Sequence, residues 1–252
     1  MPYGLYVSAE GAHAQAKRLE IVAHNLANVE TVGFKRELAV FQARYAEQTE
    51  RGHDVPGSGS INDLGGGVEL RQTKTDFAPG PLKRTEVPTD LAIDGDGFFV
   101  VQKDDENYLT RAGNFTVNHQ GELVTQYGQQ QYKVLSSEGV PIVLGPGPWR
   151  LEGSGTIRQG GSVQSLAIEK PASLGDLARV GENVFKPLAE TLPVPPAQRT
   201  LVSGYLEMSS VRPTTEMIEM IEATRAIEAN VNMMRTQDEM LSGLITRVMS
   251  TG

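Results

Sequence analysis

The side chains best suited to chemistry in this sequence are its histidines and its carboxylates. The four histidines are His13, His24, His53 and His119, and none of them forms an HExxH motif or a close metal-ligand pair. His13 and His24 lie beside the apolar row of a predicted helix, where a solvated or interface histidine is the expected interpretation. The histidines therefore predict no metal centre.

The acidic residues also predict no reaction. Asp94-Gly95-Asp96-Gly97 begins like a calcium loop but lacks the later oxygen ligands, so we predict a turn with glycine at positive φ. The run Asp104-Asp105-Glu106 predicts a solvated face, and no Gly-x-Ser-x-Gly elbow marks a nucleophilic serine. We therefore predict no catalytic residue, no metal, no cofactor and no enzymatic activity.

Composition excludes several classes of partner. The 252 residues carry a net charge of -8 without a basic cluster, so nucleic acid is not an expected ligand. The absence of cysteine excludes disulfides and zinc thiolates. No run of about 18 apolar residues predicts a membrane span, and no apolar stretch near the N-terminus predicts a cleaved signal peptide. The expected location is cytoplasmic unless another export route applies.

Pro213 to Met249 has the heptad spacing of a single long helix. At about 1.5 Å per residue it would be roughly 55 Å long, far beyond an ordinary domain helix. Its apolar row is Met217, Met220, Ile227, Val231, Met234, Leu241, Ile245 and Val248, interrupted by Thr224 and Asp238. Such a narrow row is typical of a helix that packs along one partner helix.

A matching row begins the chain. It consists of Leu5, Ala9, Ala12, Ala16, Leu19, Ala23 and Leu26. Its small alanines suit the larger, methionine-rich row at the other end of the chain. We therefore predict that the two ends pair as a coiled coil. The alternative is two amphipathic helices packed separately on a central domain.

Between the helices the sequence predicts short strands. Runs from Val68 to Lys186 alternate with Gly, Asp, Asn and Pro turn formers at about ten-residue spacing, which is typical of an antiparallel all-β domain. The predicted fold is α+β, with a mainly antiparallel β domain inserted between paired terminal helices. The predicted domains are a helical assembly domain (1–34 and 213–252), a linker and loop (35–67) and a β-rich domain (68–212). Within the linker, Gly33 to Tyr45 has a helical or mixed pattern, and Gly52 to Gly67 predicts a flexible loop.

Three blocks of sequence, in this order, resemble the bacterial flagellar rod and hook proteins. The first contains Asn25, Leu26, Ala27, Asn28, Gly33, Phe34 and Lys35. The second runs from Asp90 to Val101, and the third is Ser203-Gly204-Tyr205-Leu206-Glu207-Met208-Ser209 before the last helix. His24 stands where this family commonly has a second asparagine.

The resemblance implies a structural subunit of the flagellar basal-body rod, exported by the flagellar apparatus without a cleaved signal and assembled in the periplasm. Implied partners are copies of itself, other rod proteins, hook-side or ring proteins and the export apparatus. Thr75 to Leu82 and the chain length favour the proximal rod protein, whereas Glu207-Met208-Ser209 and Arg225 to Asn230 also fit the distal rod protein. The assembly interface would be the two apolar rows. A non-polymerising coiled-coil adaptor and a peptidoglycan-acting enzyme are the alternatives from other classes.

Overall fold

The chain divides into two compact units. The computed structural model describes residues 3–45, 65–126, 131–181 and 183–250, together with 49, 51–53, 55 and 57. Most of the predicted Gly52 to Gly67 loop lies outside the described residues. The helical unit comprises Met1–Ala27, Glu37–Asp76 and Arg212–Gly252, and the β unit comprises Asn28–Arg36 and Phe77–Val211.

The helical unit contains both predicted terminal helices. Helix α1 spans Tyr3–Ala27, and helix α2 spans Pro213–Ser250 and packs against α1. Pro213 suits the first turn because its missing N–H is not needed there, and Glu216 complements the positive end of the helix dipole. The predicted pairing of the two chain ends is therefore confirmed.

Two strands complete this unit. Strand β1 (Arg36–Ala43) pairs with strand β2 (Val68–Asp76), and β2 also contacts α1. The helical or mixed pattern predicted for Gly33 to Tyr45 is wrong. Its four- and three-residue apolar spacing favours a helix, but hydrogen bonding to β2 overrides this local pattern.

The β unit is built from short antiparallel strands. Their bounds are β3 Leu82–Arg84, β4 Leu91–Ile93, β5 Phe98–Lys103, β6 Glu106–Thr110, β7 Phe115–Val117, β8 Leu123–Thr125, β9 Lys133–Val134, β10 Arg150–Leu151, β11 Thr156–Gln159, β12 Ser162–Ser165, β13 Ile168–Pro171, β14 Leu177–Gly181, β15 Val184–Pro187, β16 Thr191–Pro193, β17 Leu201–Ser203 and β18 Tyr205–Glu207. Two single 3-10 turns, Leu174–Asp176 and Pro196–Gln198, interrupt them.

Within the described residues, the largest sheet has nine strands. Its main path is β14-β15-β6-β5-β9-β8-β7, with β13 bound to β5 and β16 bound to β13. The β unit also contains a separate three-stranded sheet (β10-β11-β12) and two separate two-stranded sheets, β17-β4 and β18-β3. The predicted antiparallel β domain is confirmed. Within the region of predicted strands, the run from Pro141 to Leu144 makes only isolated bridges.

The core of this unit forms on both faces of β5. Phe99 and Val101 point into one buried cluster, while Phe98 and Val100 point into a second. Alternate side chains of a strand point to opposite faces, so an unbroken apolar run marks a strand that is covered on both sides. This central strand holds the turn Asp94–Gly97 in place, and Gly95 and Gly97 take the expected positive φ of 130° and 117°.

Gly33 provides a test of local backbone geometry. It has a φ of 66°, and a Cβ atom there would lie 2.4 Å from the backbone nitrogen of Ala112. We expect Gly33→Ala to lower the free energy of unfolding by about 2–4 kcal/mol, because a strained backbone and a backbone clash add together. Gly139→Ala is the control: Gly139 has a φ of 77° and nothing within 4 Å, so it should lose only about 1 kcal/mol. Equal losses in denaturant titrations would contradict this account.

Candidate functional site

The contact between α1 and α2 follows a seven-residue register. A Cβ atom on Gly4 would lie 2.9 Å from Gln237 Nε2, and one on Gly11 would lie 3.0 Å from Asn230 Oδ1. Asn25 donates to Glu216 Oε2 at 3.3 Å. In each of these three pairs the two residue numbers add up to 241, so a later residue of α1 always meets an earlier residue of α2. The helices are therefore antiparallel and in one continuous register.

The face of α1 in this contact is not the predicted apolar row. The α1 positions that meet α2 are Gly4, Gly11, Arg18 and Asn25, each one residue before a member of the predicted row. One residue rotates a helix by about 100°, so the predicted row points elsewhere. The apolar pattern missed this face because Gly4 and Gly11 carry no apolar side chain, and the space they leave is occupied by the side chains of Gln237 and Asn230.

On α2 the predicted row is divided between partly buried and exposed positions. Its partly buried members are Met220, Ile227, Val231, Met234 and Leu241. Its other members, Met217, Ile245 and Val248, are 48%, 59% and 72% exposed. The other α2 positions that face α1 are Glu216, Ala223, Asn230 and Gln237, which are seven residues apart.

Polar side chains hold this helix pair in register. Arg18 Nη2 lies 3.5 Å from Glu219 Oε2 and 3.7 Å from Glu222 Oε2. Few apolar side chains are fully buried in the pair: Ala14 and Val22 on α1 and Ala223 on α2. The amide oxygens of Gln15 and Gln237 are buried without a hydrogen-bond partner. The chain therefore uses small and polar residues for its internal pairing.

The Asn25 cluster (Asn25, Glu37 and Glu216) joins three elements of the helical unit. Asn25 Nδ2 donates to the Glu37 carbonyl at 2.8 Å, and the Glu37 amide donates to Asn25 Oδ1 at 2.9 Å. Because Asn25 also donates to Glu216, one buried amide connects α1, β1 and the first turn of α2. His24 Nδ1 lies 3.5 Å from Glu37 Oε2 beside this cluster.

The Glu207 cluster (Lys35, Arg111 and Glu207, with the backbone of Ala78 and Gly80) lies in the β unit. Lys35 Nζ donates to Glu207 Oε1 at 2.6 Å and to the Ala78 carbonyl at 2.9 Å. Arg111 Nη1 donates to Glu207 Oε2 at 3.2 Å, and the Gly80 amide donates to Oε1 at 3.0 Å. The Lys35 and Glu207 side chains are each 2% exposed. Removing one member of such a buried pair typically costs about 3–5 kcal/mol.

Arg111 connects this cluster to the central turn. It donates to the Gly95 carbonyl at 2.7 Å, and its guanidinium lies 5.2 Å from the centre of the Phe98 ring. Burial lowers the pKa of the Arg111 guanidinium, whereas the charge and hydrogen bond of Glu207 raise it. A guanidinium is not deprotonated in proteins, so the ion pair between Arg111 and Glu207 persists at neutral pH.

The other residues of the first sequence block lie between Asn25 and Lys35 in the sequence. The Gly33 amide donates to the Glu207 carbonyl at 2.7 Å, and Phe34 is buried under the Arg179 guanidinium at 4.4 Å. Asn183 Nδ2 donates to the Val32 carbonyl at 2.9 Å. Leu26 and Asn28 are partly buried and Ala27 is exposed. Lys35 and Glu207 belong to separate sequence blocks, and nothing in either block predicts that they pair.

A cavity of about 520 Å³ lies in the β unit. Its only acidic lining residue is Asp96, which forms an ion pair with Lys170; the rest are mainly proline, alanine, leucine and valine. The Lys170 hydrogen bond and charge lower the pKa of Asp96, so this carboxyl is ionised at neutral pH and cannot act as a general acid. No group of acidic and histidine side chains suited to a metal ion, and no helix apolar enough to cross a bilayer, occurs among the described residues.

Helices from both chain ends that pair in one register, with a β unit inserted between them in the chain, define a structural protein organised around its termini. Family models agree along the length: "Flagella basal body rod protein" matches residues 5–35, "Flagellar hook protein FlgE/F/G D1 domain" matches 92–168, and "Flagellar basal body rod FlgEFG protein C-terminal" matches 202–247.

Curated relatives match almost end to end. The chain is 33% identical to the flagellar basal-body rod protein FlgF of Caulobacter vibrioides, over 98% of both chains. It is also 33% identical to the rod protein FlgG of Borreliella burgdorferi, over 96% of this chain and 97% of the relative. The chain belongs to the flagellar basal-body rod protein family and is a structural subunit of the rod.

The glycine in the helix contact generates a prediction. We expect Gly11→Leu to weaken the α1–α2 pair by about 1–3 kcal/mol, because the new side chain must displace the Asn230 side chain, whose Oδ1 would lie only 3.0 Å from a Cβ atom at position 11. The measurement is thermal melting followed by circular dichroism of the helical signal. Gly243→Leu, on α2 with nothing within 4 Å, is the control and should keep or raise helicity. A Gly11→Leu melt that matches the control would refute the proposed register.

Proposed function

We propose that this chain is a proximal rod subunit, and that copies assemble through the apolar surfaces of α1 and α2 into the axial drive shaft. The resemblance of Thr75 to Leu82 supports the proximal position. The distal rod is the second candidate, supported by the resemblance of Glu207-Met208-Ser209 and Arg225 to Asn230. Relatives named FlgF and FlgG match at the same identity of 33%, so they favour neither.

The assembly proposal rests on the orientation of the predicted apolar row of α1. This row does not face α2 in the pairing of the two helices within one chain. None of its residues is fully buried, and Ala9 and Ala23 are exposed. Its members are Leu5, Ala9, Ala12, Ala16, Leu19, Ala23 and Leu26. A structural subunit that keeps an apolar row outside its own helix pair has a surface for the helices of its neighbours.

The end of α2 adds to this surface. In the antiparallel register Tyr3 is level with Asp238, so the last turns of α2 extend past α1. Leu244, Ile245, Val248 and Met249 lie on this extension and are 59%, 59%, 72% and 79% exposed. Burying one such side chain is worth about 1.5–3 kcal/mol, so a row of them drives firm association when subunits line up.

The same proposal covers export and partners. The subunit would pass through the flagellar export apparatus without a cleaved signal and assemble in the periplasm with other rod proteins, next to hook-side and ring proteins. We propose no enzymatic role for it. A peptidoglycan-acting site would need two carboxylates about 5–10 Å apart in a cleft, whereas the cavity described above has one acidic lining residue, Asp96. The experiment that tests the rod position is imaging of basal bodies isolated from cells that carry a tagged chain. Absence of the tag from the rod would refute the proposal.

A single substitution on the α2 extension tests the assembly surface. We expect Ile245→Asp to abolish concentration-dependent growth in light scattering, because a carboxylate would have to be buried in an apolar contact. Its folding should be unchanged, since Ile245 is 59% exposed in the single chain.

Thr246→Asp, on the next residue of the same helix, is the matched control and should still assemble. A wild-type chain that forms a fixed dimer at every concentration would support the coiled-coil adaptor instead. Assembly of Ile245→Asp equal to that of Thr246→Asp would refute this surface.

A further inference from the structure

The chain enters the β unit at Asn28 and Phe77 and leaves it at Arg36 and Val211. Three of these four points, all except Asn28, are within a few residues of members of the Glu207 cluster. The unit consists of Asn28–Arg36 and Phe77–Val211. Lys35 is next to the end of the first stretch, Ala78 and Gly80 follow the start of the second, and Glu207 precedes its end. These positions are far apart in sequence yet share one buried hydrogen-bond network.

Backbone hydrogen bonds join the same chain segments as this side-chain network. The Gly33 amide donates to the Glu207 carbonyl at 2.7 Å, and the Ser210 amide donates to the Phe34 carbonyl at 3.0 Å. The Met208 amide donates to the Pro81 carbonyl at 2.9 Å, and β18 pairs with β3. Each segment is therefore held to another segment of the cluster.

Glu207 is the one group that all three segments need. Its Oε1 accepts from Lys35 of the first segment and from Gly80 of the second, while its Oε2 accepts from Arg111. Arg111 in turn donates to Gly95, so the cluster is fixed to the turn before the central strand β5. Replacing this carboxylate by an amide would leave two buried cations facing a neutral group.

We propose that the Glu207 cluster couples the segments 33–36, 78–82 and 205–210 into one cooperative unit that opens and closes as a whole, separately from the strand core. We further propose that this cluster transmits force between the β unit and the chain segments that leave it. The second part rests on the proposed function, because only a rotating shaft loads these segments.

Native-state hydrogen exchange on the full-length chain tests the coupling. In Glu207→Gln we expect exchange at the amides of Gly33, Gly80, Met208 and Ser210 to rise together by about tenfold or more, as for a sub-global opening. Amides between β5 and β6 should keep their wild-type rates. Glu106→Gln is the matched control, since it removes an exposed carboxylate that pairs with Lys186 at 2.7 Å in the same unit.

Two results would overturn the coupling. One is faster exchange confined to 205–210, which would show a local role for Glu207. The other is an equal rise throughout β5 and β6, which would show general destabilisation. If Glu207→Gln does not fold, Lys35→Met, which leaves the Arg111–Glu207 pair in place, should raise exchange in the same three segments and not elsewhere. These readouts use the isolated chain, so they do not depend on where it sits in the cell.

Swimming in media of rising viscosity tests the transmission of force. Cells with Glu207→Gln should form hooks and filaments as the Glu106→Gln cells do, yet lose speed or shed filaments as viscosity rises. Equal performance of the two strains at every viscosity, with the exchange result as expected, would overturn the mechanical part alone. Absence of the tagged wild-type chain from basal bodies would refute the proposed function and leave the coupling intact.

Discussion

The ion pair between Lys35 and Glu207 is the interaction on which the β unit depends. It joins residues 172 positions apart at 2.6 Å, in surroundings that exclude water almost completely. An unpaired charge there would be costly, so the pair forms only when both segments are in their final places. Arg111 and the Gly80 amide then use the remaining acceptor capacity of the same carboxylate. The segments that connect this unit to the rest of the chain are thereby positioned by one side chain.

In the helical unit, distant segments of the chain are joined by a neutral side chain, that of Asn25. Asn25 offers both a donor and an acceptor, and it satisfies the backbone of Glu37 while reaching the carboxylate of Glu216. Around it, Gly4 and Gly11 let α2 approach closely. The internal helix pair is therefore specified by shape and hydrogen bonds more than by apolar burial. That leaves apolar side chains on the outer faces, which is the arrangement expected of a rod subunit that packs against other helices.

Much of the fold followed from local pattern. Alternation and turn residues placed most strands of the β unit, and the run Phe98-Phe99-Val100-Val101 marked its central strand because both faces of that strand are buried. Strand β1 was misread because the spacing of Phe34, Leu38 and Phe41 fits a helix, whereas the strand forms through its pairing with the distant strand β2. The bounds of short strands such as Leu177–Gly181 and Val184–Pro187 could not be predicted, since a few residues carry too little periodicity to define them.

The sequence by itself determined the two terminal helices, the antiparallel β insertion between them, the absence of any cysteine chemistry and the blocks that resemble rod proteins. Heptad spacing, turn residues and composition are local properties, so they can be read without coordinates. Only the tertiary structure decided which helix face is used internally, and that Lys35, Arg111 and Glu207 meet. Both depend on which distant residues become neighbours: a glycine seam and a buried ion pair exist only in relation to what lies across from them.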